Sequence, residues 1–159
     1  MIMGKNAPKL IVWTDKLCID RGTIDEDHKY LIELCNSFLK NCRQFDSKMQ
    51  ADELISELLD YTSYHFVREE ELQKQIGFPD VKQHKDVHAS LINDLHEIKY
   101  LIRDVDDFDL ISVSTKSMRL VRKWLIEHIL KHDMPMRAYV KEIHRSTTET
   151  SHIYDIALL

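Results

Sequence analysis

The side chains in this sequence that could do chemistry together are histidines and carboxylates at helical spacing. His65 and Glu69 are four residues apart, as are His84 and His88. On α-helices each pair projects from one face about one turn apart, close enough to hold the same metal centre. His28 and His128 occupy comparable positions singly, and Asp133 follows His128 by five. Apart from Asp133, which lies just beyond the last of them, each of these residues falls on an apolar stripe. There, an unpaired imidazole or carboxylate costs on the order of a few kcal/mol, more than the marginal stability of one domain can absorb several times over. Imidazole with carboxylate suits iron, zinc, copper or nickel, and no cysteine is spaced for a thiolate site. Five imidazoles and two carboxylates exceed what one zinc takes up. Two metals sharing bridging carboxylates fit the count, with at least one coordination position left over.

Four helices must position these groups. Ile24, His28, Leu31, Cys35, Phe38 and Cys42 mark the first, to about residue 44, with Asp25, Glu26 and Asp27 crowding a first turn where the helix dipole favours negative charge. Ahead of it, residues 1–23 read as an irregular arm. In the second, Ile55, Leu58, Leu59, Thr62, Phe66, Leu72 and Ile76 share the stripe with His65 and Glu69; Asp46 and Ser47 are candidate caps, and Gly77-Phe78-Pro79-Asp80 is the stop. The third carries Val81, His84, His88, Leu91, Leu95, Ile98 and Ile102 and ends before the acidic turn at 104–109. The fourth starts near Ser112 and should bury Val113, Ser117, Leu120, Val121, Trp124, Leu125 and His128. Pro135 removes an amide and biases Met134 out of the α region, so this helix should break or kink close to Asp133. A further helical stretch from Met136 to about His144 is expected, then a polar tail.

Helices of ~20 residues joined by short loops predict an all-α fold, an up-down-up-down antiparallel four-helix bundle with an N-terminal arm and a short C-terminal extension. One domain is expected over 1–159, with its core at about 13–144 and the tail at 145–159. Only 3 Gly and 3 Pro among 159 residues agree with helices rather than a turn-rich β architecture. A net charge of -5 argues against a nucleic-acid surface. No apolar run approaches the roughly 20 residues that span a bilayer, and Met1 to Leu17 lack the block of a signal peptide. A cytoplasmic protein with no membrane partner is the expectation. Cys35 and Cys42 read as small buried hydrophobes rather than ligands or a disulfide. His96, His144 and His152 read as surface residues, and Glu70 and Glu71 as a solvated face. His132, four after His128, competes with Asp133 as a ligand. A ferritin-like di-iron bundle needs Glu-x-x-His on two helices, whereas only Glu149-x-x-His152, in the polar tail, has that spacing.

The motifs Ile24-Asp25-Glu26-Asp27-His28-Lys29-Tyr30-Leu31, His65-Phe66-Val67-Arg68-Glu69-Glu70, His84-x-x-x-His88 and Trp124-Leu125-Ile126-Glu127-His128-Ile129, with Asp133 following, resemble the hemerythrin family. The resemblance covers roughly Trp13 to Asp133 and is greatest to bacterial single-domain members, with all seven ligand positions in the family's order. It implies an oxygen-binding protein with a non-haem di-iron centre: His84, His88 and His128 on one iron, His28 and His65 on the other, and Glu69 and Asp133 bridging them beside an oxo or hydroxo group. It favours Asp133 over His132. Dioxygen, the implied partner, would bind reversibly at the open position of the two-histidine iron, for storage, delivery or scavenging. Phe66, Trp124 and Leu125 would line the oxygen pocket with Gln73 at the rim of the ligand face, where relatives commonly have methionine. No catalytic residue is expected, and no protein partner is indicated. The alternatives are a di-iron oxygen or redox sensor that signals to a partner, and a di-iron peroxide or nitric oxide reductase.

Overall fold

The computed structural model describes residues 9–42, 45 and 47–145. Among them are no strand and four long α-helices: α1 (Thr23–Asn41), α2 (Lys48–Gln75), α3 (Val81–Asp104) and α4 (Leu110–His128). Each packs on the next, and α4 returns to α1, so the helices close a ring. A short helix over residues 136–145 follows. The candidate cap Asp46, the tail beyond 145 and His152 lie outside the described residues.

The predicted stripes face the ring's interior. Phe38, Ile55, Leu58, Leu95, Ile102 and Met118 are fully buried and form one continuous apolar cluster, the area-proportional driving force for folding. Cys35 and Cys42 are buried free thiols within it. The fourth stripe has a different phase from the expected one. Leu110, Ser114, Ser117, Met118, Val121, Leu125 and His128 face inward, while Leu120 is 63% exposed. Leu120 lies only one residue from Val121, but that is a 100° turn of the helix, enough to carry it out of the core.

Chain entry and exits are fixed locally. The Asp20 carboxylate accepts from the amides of Gly22, Ile24 and Asp25 and so caps α1. Asp25 turns back to accept from the Ile19 and Arg21 amides and the Cys18 thiol, so it ties down the arm rather than only complementing the dipole. Farther out, Asn36 pairs with both backbone groups of Ile11. At the end of α2, Gly77 takes φ +66. Its amide donates to Lys74 O and the Phe78 amide to Gln73 O, a Schellman closure that only a residue without Cβ adopts freely. This stop seats Phe78 edge-on to His84.

Candidate metal centre

The cage is assembled from the early part of α1 and α3 and the late part of α2 and α4. His28, His65, Glu69, His84, His88 and His128 are each at most 4% exposed, and Asp133 is fully buried. Their donor atoms fall into two overlapping groups: Glu69, His84, His88, His128 and Asp133 in one, and His28, His65 and Glu69 in the other.

Each carboxylate touches both histidine sets. Glu69 Oε2 lies 3.1 Å from His88 Nε2, 3.6 Å from His84 Nε2 and 3.7 Å from His65 Nε2. Asp133 Oδ1 lies 3.2 Å from His84 Nε2 and 3.1 Å from His128 Nε2, while Oδ2 is 3.3 Å from His28 Nε2. Every histidine thus turns its Nε2 towards the same interior space.

Asp133 reaches that space through a change of helix type. An α-helix places the fifth following residue 140° away from the first, which would point Asp133 away from His128. Instead Ile129–Asp133 form a π-helical turn, closed by Met134 N donating to Ile129 O. The wider turn absorbs the extra residue and restores Asp133 to the His128 face, a use of π-bulges common at functional sites. Pro135, which has no amide to give, stands just after this turn, so the break expected there is a bulge followed by a new helix. His132 is left beside the cage: its ring packs near His128 and His84, but it belongs to neither donor group.

Behind the ring lies a second layer that the sequence reading missed. Asp27 Oδ2 is 3.2 Å from His65 Nδ1. Asp27 Oδ1 in turn accepts from the Tyr61 hydroxyl at 2.8 Å and from the Arg68 guanidinium. Glu70 is half-buried rather than solvated, with Oε1 3.0 Å from His88 Nδ1 and Oε2 2.8 Å from Lys85. Carboxylates on the outer nitrogen fix the tautomer and aim Nε2 inward. Glu71 is exposed, as expected, and so are His96 and His144. No periodic signal marks Asp27 or Glu70, since a first-turn acid and an off-stripe glutamate both read as ordinary surface charge.

The electrostatics are those of a cation site. Both oxygens of Glu69 and of Asp133, both ring nitrogens of His28 and His84 Nε2 are buried without an aligned hydrogen bond. Leaving that many polar atoms unsatisfied is untenable, and a cation between them satisfies them together. With only the protein's own groups, burial pushes His65 and His128 down to about 4. Burial also opposes charge on His84, but the Asp133 and Glu69 carboxylates close to its Nε2 outweigh it and lift this histidine to about 9. Asp133 is held well below the usual carboxylate range despite its burial, by His128, His28 and His84. Neutral imidazoles and ionised carboxylates are the donor set that iron, zinc or copper accepts.

Of the predicted pocket residues, Phe66 stacks on His88 with ring centroids 3.6 Å apart, and Trp124 stacks on His128 at 6.2 Å. Leu125 is buried beside them. Gln73, one turn beyond Glu69, is fully buried, and neither its Nε2 nor its Oε1 has a hydrogen-bond partner.

Comparison with known proteins agrees with this geometry. The family described as "Hemerythrin HHE cation binding domain" matches residues 21–139. A bacteriohemerythrin from Stenotrophomonas maltophilia is 32% identical over 132 residues, 83% of this chain and 82% of the relative. Another from Clostridium acetobutylicum is 30% identical over 127 residues, 78% of this chain and 96% of the relative. The fold is also similar to a crystal structure of a hemerythrin mutant, with a TM-score of 0.69 at 22% identity, covering 82% of this chain and 97% of that one.

Proposed function

The chain belongs to the hemerythrin family, and from that premise we propose that it is an oxygen-binding protein whose cage holds two irons. The observation that carries this reading is the pair of carboxylates, Glu69 and Asp133, each within 3.7 Å of histidine nitrogens from both sets. His84, His88 and His128 would hold one iron and His28 and His65 the other, with the two carboxylates shared between them. Two irons supply the pair of electrons with which dioxygen is taken up and returned.

The surrounding residues perform the rest. Asp27 and Glu70 hold His65 and His88 in the tautomer whose Nε2 faces inward. Phe66, Leu125 and Trp124 line the apolar wall, and excluding water there keeps protons from a site that must release its ligand unchanged. The reading extends to an up-down-up-down antiparallel bundle formed by one domain. It is supported by residues early in α1 and α3 meeting residues late in α2 and α4 at the cage. No helix among the described residues is long and apolar enough to cross a membrane. The family membership supports reading the chain as a carrier or scavenger of oxygen rather than an enzyme, and we place it in the cytoplasm.

Metal analysis with spectroscopy tests this. About two irons per chain are expected, with His88→Ala lowering the number. Reduced protein should gain a visible charge-transfer band in air and lose it when oxygen is removed. Zinc alone, or slow irreversible oxidation with no oxygenated species, would overturn the proposal.

A further inference from the structure

Asp27 divides its two oxygens between different tasks. Oδ2 lies 3.2 Å from the outer nitrogen of His65, while the Tyr61 hydroxyl, at 2.8 Å, and the Arg68 guanidinium both donate to Oδ1. Each donor is itself held. Arg68 lies over the Tyr64 ring, 4.3 Å from its centroid, and the Tyr61 ring packs against Tyr30 with centroids 4.4 Å apart. Burial raises the Tyr61 hydroxyl above its usual pKa, so it stays protonated and donates.

A carboxylate needs neither donor to aim an imidazole, since one acceptor oxygen suffices. What two donors on the far oxygen add is a withdrawal of charge from the carboxylate, one of them carrying a full positive charge. A less basic Asp27 takes a smaller share of the Nδ1 proton, and His65 then presents Nε2 as a neutral imidazole rather than a partial imidazolate. His28, the other imidazole on this side of the cage, has no aligned hydrogen bond at Nδ1, so the outer influence arrives through His65. Across the cage, Glu70 has a single cation, Lys85. Both are more exposed, at 18% and 44% against 2% and 30% for Asp27 and Arg68, and water screens the charge there.

We propose that Arg68 and Tyr61 are positioning residues which, through Asp27, keep the proton on His65 Nδ1 and so favour the reduced form of the metal centre. The proposal rests on the two-iron reading above. A neutral imidazole donates less charge than an imidazolate and stabilises the ferric state less, as a site that must give oxygen back requires.

Reduction potentials of the iron-loaded full chain, taken with the isotope-edited Nδ1 proton resonance of His65 in metal-free protein, test it. Arg68→Gln should raise the ferric-to-ferrous ratio at a fixed potential by roughly tenfold, a fall of about 59 mV for one electron. It should also move the Nδ1 proton downfield, as Asp27 regains basicity. Arg68→Lys should recover most of both changes, Tyr61→Phe should cause smaller shifts in the same directions, and Lys85→Gln should leave the His65 resonance unchanged. Helical circular dichroism checks folding, and Tyr61→Phe decides the matter if Arg68→Gln does not fold. Potentials unmoved in the variants overturn the proposal and leave Arg68 as a counter-charge only. A potential that moves while the resonance stays fixed overturns it as well, because the effect would then bypass Asp27. A wild-type chain without two irons or reversible oxygenation fails the functional reading instead, and the metal-free resonance still decides whether Arg68 and Tyr61 act on His65.

Discussion

Phe38, Ile55, Ile102 and Met118 meet inside one half of the helix ring, whereas in the other half the same four helices turn five imidazoles and two carboxylates inward. Both regions are equally buried. The first gains from every contact it makes and depends on nothing outside the chain. The second buries polar atoms that have no aligned hydrogen bond within the protein, so on the proposed reading its stability would come from the cation bound there. The contrast explains why a small apolar cluster of Ile19, Ile24, Phe78, Met136 and Val140 closes the far side of the cage: it seals that end without adding a competing polar partner.

Removing the metal should produce the largest effect and fall on one half only. Binding energy at a site absent from the unfolded chain is folding energy. The melting temperature should therefore drop by roughly 10 °C or more, if several kcal/mol are lost and each costs about 2–4 °C in a chain of this size. Hydrogen exchange should accelerate around His28, His65, His84 and His128 but hold near Ile55 and Ile102. Uniform acceleration would erase the distinction between the halves.

Truncating the apolar half is the converse. Ile102→Ala should cost about 2–5 kcal/mol through the cavity it leaves, and the same amount with metal or without. Iron content should not change. Denaturant midpoints of both forms check this, and a penalty present in only one form would show that the halves are coupled.

How much of this was visible in the sequence follows the same division. Periodicity marks any side chain that faces the core, whatever its chemistry, so the stripes exposed the helices and six of the seven cage residues at once. Asp133 broke the pattern. It is five after His128 where an α-helix permits three or four, and that mismatch was the sequence's trace of the π-helical turn. Leu120 was misplaced because a leucine next to Val121 fits a slightly rotated stripe equally well. Asp27 and Glu70 were illegible as orienting groups because their role depends on which neighbouring helix their carboxylates meet, and spacing along one helix carries no such information.

Acidity should separate the halves again, in the metal-free protein. His65 and His128 titrate at about 4 when folded, against about 6.5 unfolded. The unfolded chain therefore binds protons first, and stability is lost as pH falls from about 6.5 towards 4. His84 runs the other way. Raised to about 9, its contribution is fully present below about 6.5 and is lost as pH rises through 9. Metal-free stability should peak near neutrality and decline on both sides, by a few kcal/mol in all. Loading metal should abolish the alkaline decline, because ligation displaces the His84 proton. Ile102→Ala should lower the whole curve without reshaping it. Urea titrations across this range decide the matter, and a profile with no alkaline decline in the metal-free protein would contradict the assignment of His84.

Gln73 is the residue that blurs the boundary, and it carries the smallest expected effect. It sits one turn past Glu69 in a wall that is otherwise apolar or metal-facing, fully buried, with its amide nitrogen and oxygen both unpartnered. An amide in that position costs about 1–3 kcal/mol unless something completes its hydrogen bonds. A water molecule is the simplest candidate, because it can both accept from Nε2 and donate to Oε1. Water held there is also a proton source beside a site that must return oxygen unreduced. Gln73→Met replaces the amide with a flexible apolar side chain of similar length. By releasing the held water it should make the metal-free protein more stable, by up to about 2 kcal/mol, and the oxygenated protein slower to oxidise irreversibly. The two measurements are independent: denaturation of the metal-free chain reports the cost of holding the amide and its water, and decay of the oxygenated band at fixed pH reports the proton supply. Greater stability with unchanged decay would place the amide in the core but away from the oxygen pocket. Unchanged stability would mean that the amide is satisfied within the fold, and Gln73 would then belong with the apolar half.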